Sequence, residues 1–204
     1  MITMTRRMAS ATAVALLFAA SSAIAQAPQV VRVRATIENV SGPMLDVKTK
    51  EGTAYKIRLA DNAPVNQIVK AALSDIKDGS YIAVTATPQP DGSQKATAIY
   101  IFPPNVHPGE GFSAWDFPAG NSTMTNATVA SQVTGADGRT LTVTYKGGEK
   151  KVIVPPNAEV TMPKKASAGD LKAGQKIFIF AAKKQADGTL EAPNVSFGDY
   201  GVWR

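Results

Sequence analysis

Residues 31–102 align on residues 127–198 at an offset of 96 or 95, and no other feature of this 204-residue chain restricts its fold as tightly. Gly42, Leu45, Val47, Lys50 and Gly52 meet Gly138, Leu141, Val143, Lys146 and Gly148. One residue shorter, Asn62-Ala63 meets Asn157-Ala158, and Ser74 to Gly79 meets Gly169 to Gly174. Asp91, Gly92 and Ala96 then meet Asp187, Gly188 and Ala192, with the offset back at 96. Both offset changes fall in turns bearing Gly or Pro, where an inserted residue is tolerated. Such a chain is expected to fold one supersecondary plan twice.

Each repeat reads as five strands. Val31, Val33, Ala35 and Ile37 alternate with polar residues; Leu45 and Val47 follow the Ser41-Gly42-Pro43 turn, and Tyr55, Ile57 and Leu59 follow Glu51-Gly52, giving a three-stranded meander. Val65, Ile68, Val69, Ala72, Leu73 and Ile76 recur at spacings of three and four, which predicts a helix entered through Asn62 and Pro64. Tyr81 to Thr87 and Lys95 to Phe102, joined by Pro90-Asp91-Gly92, predict a closing hairpin. In the second repeat Pro163 leaves room only for a short helical segment around Ser167 to Lys172. The order is that of an OB-type barrel, so the expected fold is mainly β: two tandem OB-like five-stranded barrels, residues 29–103 and 126–198, with a short helix in at least the first. Two unrelated β-sandwiches, or a single ten-stranded one, fit the alternation as well.

Residues 1–25 read as a secretory signal peptide. Arg6 and Arg7 supply the positive region, Ala11 to Ala20 the apolar stretch, and Ala23-Ile24-Ala25 the cleavage site, so the mature chain is expected to start at Gln26 in a bacterial periplasm or outside the cell. No later apolar run is long enough to span a membrane, and residues 199–204 form a short C-terminal tail. The chain has no cysteine, which excludes disulfides and thiolate chemistry, and His107 is its one histidine, which excludes three-His metal sites. Serine-hydrolase, P-loop and dinucleotide motifs are absent, so no enzyme activity and no cofactor are expected.

Charge is uneven: residues 26–103 hold nine Lys/Arg against seven Asp/Glu, and residues 126–204 hold eleven against seven. The pairs Lys150-Lys151, Lys164-Lys165 and Lys183-Lys184 could converge on an anion, but nucleic-acid binding would also require exposed aromatic platforms. The candidates Tyr145, Phe178 and Phe180 sit in strands with at least half their positions facing inward, which argues against a nucleic-acid partner. The linker 104–125 is rich in Pro and Gly yet carries Phe112, Trp115 and Phe117, so it reads as an ordered strap rather than a tether. Its aromatics either glue the domains or form a ledge where Phe112, Trp115 and Asp116 contact a ligand or partner. His107, Glu110 and Asp116 are the metal candidates, one nitrogen and two carboxylates within ten residues.

A set of segments spread over the mature chain carries a family resemblance. They include Leu59 to Val65, Leu73 to Lys77, Pro88 to Ser93, Gly109-Glu110-Gly111 with Trp115-Asp116, Ser122 to Asn126, and Lys176 to Ala182. In these the chain resembles a family of exported bacterial proteins with a small β-rich domain of unknown function. That resemblance implies a periplasmic protein without an assigned activity. Relatives often carry a metal-transporter permease label, which a chain with no span after its signal does not support. The expected function is a non-enzymatic binding or interaction module whose partner is a periplasmic protein or small ligand. An accessory metal-binding protein is the first alternative, and a carbohydrate-binding or hydrolytic one the second.

Overall fold

The computed structural model describes residues 29–116, 120–135 and 138–198. The expected signal peptide, the 199–204 tail, Phe117 and Asp137 lie outside these residues. Strands dominate, in chain order β1 (Val30–Ser41), β2 (Met44–Thr49), β3 (Ala54–Leu59), β4 (Val65–Lys70), β5 (Tyr81–Pro88), β6 (Gln94–Ile101) and β7 (Gly111–Trp115). They continue as β8 (Ser122–Gly135), β9 (Gly138–Tyr145), β10 (Gly148–Val154), β11 (Glu159–Ala166), β12 (Lys176–Lys184), β13 (Leu190–Ala192) and β14 (Val195–Phe197). No helix among the described residues is long and apolar enough to cross a membrane.

The expected meanders form, because inward Val33, Ala35 and Ile37 alternate with Arg32, Arg34 and Thr36 on β1. What closes them differs from the tandem plan. β1, β2 and β3 pair in order, β3 then runs parallel to β13, β13 pairs with β12, and β12 returns antiparallel to β1, closing a five-stranded barrel. The second circuit has the same order: β8, β9 and β10, then β6 parallel to β10, β5 beside β6, and β5 antiparallel to β8. Each meander is therefore completed by the closing hairpin of the other half, so residues 29–103 and 126–198 do not each close on themselves. Alternation fixes which face of a hairpin is buried and not which meander it joins, so both arrangements satisfy the same apolar pattern.

The exchange also corrects the predicted helix. Val65 packs in the first core with Val33, Leu45 and Ile177, and Ile76 in the second with Ile82, Leu141 and Val152. Ile68 lies between them with Ala83, Tyr100 and Met124. The three-and-four spacing is thus a chain crossing from one core to the next: strand β4, then a single 3-10 turn at Leu73–Asp75. A matching turn, Ala168–Asp170, stands where the second helical segment was expected. β4 and β11 cross antiparallel, Val65 opposite Ala166 and Lys70 opposite Thr161.

The pairings also shift the alignment of the first strands. Ile37 faces Val47 where Val129 faces Val143, so β1 and β8 correspond at an offset of 92 while β2 and β9 keep 96. The difference lies in the hairpins, which turn at Ser41/Met44 and at Gly135/Gly138. Gly138, at the offset of 96 from Gly42, closes its own hairpin opposite Gly135. Its φ is +122° and a Cβ there would meet the Val154 carbonyl oxygen at 2.3 Å, a close approach that only glycine permits.

Candidate functional site

The strap runs as strand β7 along β8, Gly111 opposite Asn126 and Trp115 opposite Ser122. Its end meets the first barrel through side chains. Because Val31, Val33 and Ala35 turn inward, Arg32 and Arg34 project outward from β1 next to β12, where Arg34 is paired with Phe178. The Arg32 guanidinium lies 4.4 Å from the Trp115 ring centroid and 5.0 Å from that of Phe180. Arg34 lies 5.5 Å from Trp115 and 5.4 Å from Phe178. Asp116 binds both arginines at 3.2 Å, Oδ2 accepting from each and Oδ1 from Arg34. The Arg34 hydrogen bonds hold the Asp116 carboxyl below the usual carboxylate range, aided by the nearby charges of Arg34 and Arg32.

Trp115 is half-buried against the Ile68, Tyr100 and Met124 cluster. Its Nε1 is shielded from solvent and has no hydrogen-bond partner among the described residues. The contact residues proposed from sequence thus separate. Trp115 and Asp116 are joined to the first barrel, whereas Phe112 is 39% exposed with the Lys150 ammonium 4.7 Å from its ring. What remains open on this face is Phe180, 60% exposed, on the strand paired with β1, whose Val30 is 62% exposed.

The metal candidates separate in the same way. His107 stacks on Tyr81 with centroids 4.5 Å apart, and its Nε2 lies 3.1 Å from the Pro104 carbonyl oxygen. The Tyr81 hydroxyl donates to the Pro108 carbonyl, and burial pushes that phenol up. Glu110 Oε2 accepts from the Lys146 backbone N–H at 3.0 Å, and Asp116 is held by the arginines. No three metal-ligating residues gather among the described residues. The lysine pairs are likewise dispersed, over β10, β11 and β12.

Two adjoining depressions of about 420 and 470 Å³ share Asn62, Ala63 and Ala168 at the entry to β4. Their charged lining is Lys165 in one and Asp61 in the other, so neither brings a pair of carboxylates together. Sequence reasoning missed Arg32 and Arg34. Their signal was the Val-Arg-Val-Arg alternation, which places two cations on the outer face of one strand. Comparison with family models, with curated proteins and with solved structures finds no match for the chain.

Proposed function

We propose that this protein is an exported, non-enzymatic binding or interaction module, built by duplication from two OB-like barrels that exchange their closing hairpins. Its contact surface is the outer face of β1 and β12. The carrying observation is the exposure of Phe180 on this face, beside Arg32, while the neighbouring Phe178 is buried. A large aromatic left open next to a cation suits recognition of a partner that brings apolar and acidic groups together. The leader-like residues 1–25 and the resemblance to exported bacterial proteins support the periplasmic or extracellular address. The dispersal of His107, Glu110 and Asp116 among internal contacts favours this reading over metal binding.

The test is capture of a partner from periplasmic extract by the wild-type chain, by Phe180→Ala, and by Val133→Ala, which alters a side chain 69% exposed on β8. Phe180→Ala is expected to lose the partner and Val133→Ala to keep it. Equal capture by all three overturns the assignment of the surface. A zinc- or copper-dependent thermal shift that disappears in His107→Ala overturns the reading in favour of metal binding.

A further inference from the structure

We propose that the side of β1 facing away from β12, at Val30–Val33, is a strand-docking edge for an extended acidic segment of a partner protein, an inference that rests on the contact surface proposed above. The molecule contains its own template for this site. Residues Ser122–Asn126 of β8 have β5 on one side and β7 on the other. Offset by 92, they correspond to Val30–Arg34 of β1, whose place beside β12 matches that of β8 beside β5. β2 begins pairing with β1 only at Ala35. Among the described residues no strand lies on the second side of Val30–Val33, where β7 would be. A strand edge of this kind is the substrate of β-augmentation, with backbone bonds giving affinity and flanking side chains giving selectivity.

The same template specifies the chemistry. Glu110, immediately before β7, accepts a hydrogen bond from the Lys146 amide in the β9–β10 turn. The corresponding residue of the first barrel is Lys50, exposed in the β2–β3 turn. At the other end Val30 sits opposite Lys183, and the Lys184 amide donates to the Gln29 carbonyl. A strand entering antiparallel to β1 therefore meets a turn amide and Lys50 first and Arg32 midway, and ends beside Val30, with Lys183 and Lys184 one strand further away on β12. The complementary ligand is a short extended stretch flanked by carboxylates, the pattern in which Glu110 and Asp116 bracket β7.

The probe is a labelled synthetic peptide with the sequence of residues 109–116, titrated by fluorescence anisotropy into the full chain. Saturable binding is expected, with slowed hydrogen exchange at residues 30–33. Replacing the peptide's two acidic residues by amides should weaken binding about tenfold, as should Lys183→Glu with Lys184→Glu in the protein, since each arm removes charge complementarity. Absence of saturable binding overturns the proposal, and so does binding that leaves residues 30–33 unprotected or changes exchange in β8 instead. The two readings fail separately. A partner lost with Phe180→Ala while the peptide does not bind removes the docking edge and keeps the contact surface. A partner kept with Phe180→Ala removes the contact surface whatever the peptide does.

Discussion

The two rings share a circuit of pairings and differ in what covers them. The second ring carries β7 as an added strand on β8, so the strap serves it through backbone pairing. Among the described residues the first ring meets the strap through Trp115 and Asp116, which rest on Arg32 and Arg34. Tyr100 and Met124 line the outer face under Trp115 on the second ring; at the corresponding places the first ring has Ser196 and Arg32. The pattern of inward residues that builds a ring is thus present in both halves, while the outward residues differ, forming an apolar seat in one and a cationic face in the other.

The largest expected effect breaks the comparison at its root, since it asks whether each half completes the other. A protease site inserted between Asn105 and Val106, in the exposed stretch Pro103–Glu110, would allow the folded chain to be cut once. If closing hairpins are exchanged, the two fragments stay together through the β1–β12, β3–β13, β5–β8 and β6–β10 ladders and part only in denaturant. Gel filtration of the cut protein decides it. Fragments that separate in native buffer and unfold independently would restore the tandem arrangement.

Ile68→Ala attacks the crossing itself. Ile68 is 1% exposed and packs between the two cores, opposite Pro163 of the crossing partner β11. Removing its branched side chain is expected to cost about 3–4 kcal/mol, within the range for isoleucine truncation at a fully buried site. A single chemical-denaturation transition that moves as a unit would show that the two rings unfold together. Two separated transitions would show that the crossing does not couple them.

The inward alternation of Val33 and Ile37, Leu45 and Val47, and Ile57 and Leu59 made the meanders legible, because residues two apart on a strand share a face. The exchange was not legible: Ile82, Val84 and Ile99 present the same buried face whichever meander they close on, and nothing local to Tyr81–Phe102 names the partner. Val65, Ile68 and Ile76 imitated a helical stripe because each belongs to a different cluster. At the site, Trp115 could be placed against a barrel because a hydrated indole in a Pro/Gly-rich strap is costly. Its arginine partners could not, since they lie more than eighty residues upstream and sequence spacing carries no information about that approach.

Trp115→Ala sharpens the difference between the two covers. The ring packs on the second ring's outer face and beneath two guanidinium groups of the first, and its loss is expected to destabilise the chain by about 3 kcal/mol. Trp115→Phe should recover much of this, because Nε1 makes no hydrogen bond among the described residues and the smaller ring forfeits area alone. Phe112→Ala, on the same strand but 39% exposed, should cost under about 1 kcal/mol. Equal losses at Phe112 and Trp115, read from urea midpoints, would mean that the strap contributes through its backbone and that the arginine face adds nothing.

The smallest effect isolates the ion pairs that Asp116 makes with Arg32 and Arg34, which fasten the strap to the first barrel among the described residues. Arg34 and Arg32 hold the Asp116 carboxyl below its ordinary value, so the folded state binds this proton less readily than the unfolded chain. Stability from the contact is therefore present above the ordinary carboxylate range, about pH 4, and is lost as pH falls through the depressed folded value. Asp116 is 53% exposed, and solvent screening limits its contribution at neutral pH to below about 1 kcal/mol. Asp91, Asp170 and Asp187 are also lowered, each by hydrogen bonds within its own turn, so the acid sensitivity of the wild type is a sum over several groups. The difference between wild type and Asp116→Asn removes those shared contributions. It should be largest near neutrality in low salt, shrink as salt is added, and close below about pH 4. A difference that persists at acid pH would show that Asp116 acts by hydrogen-bond geometry alone and that its charge is not what fastens the strap to β1.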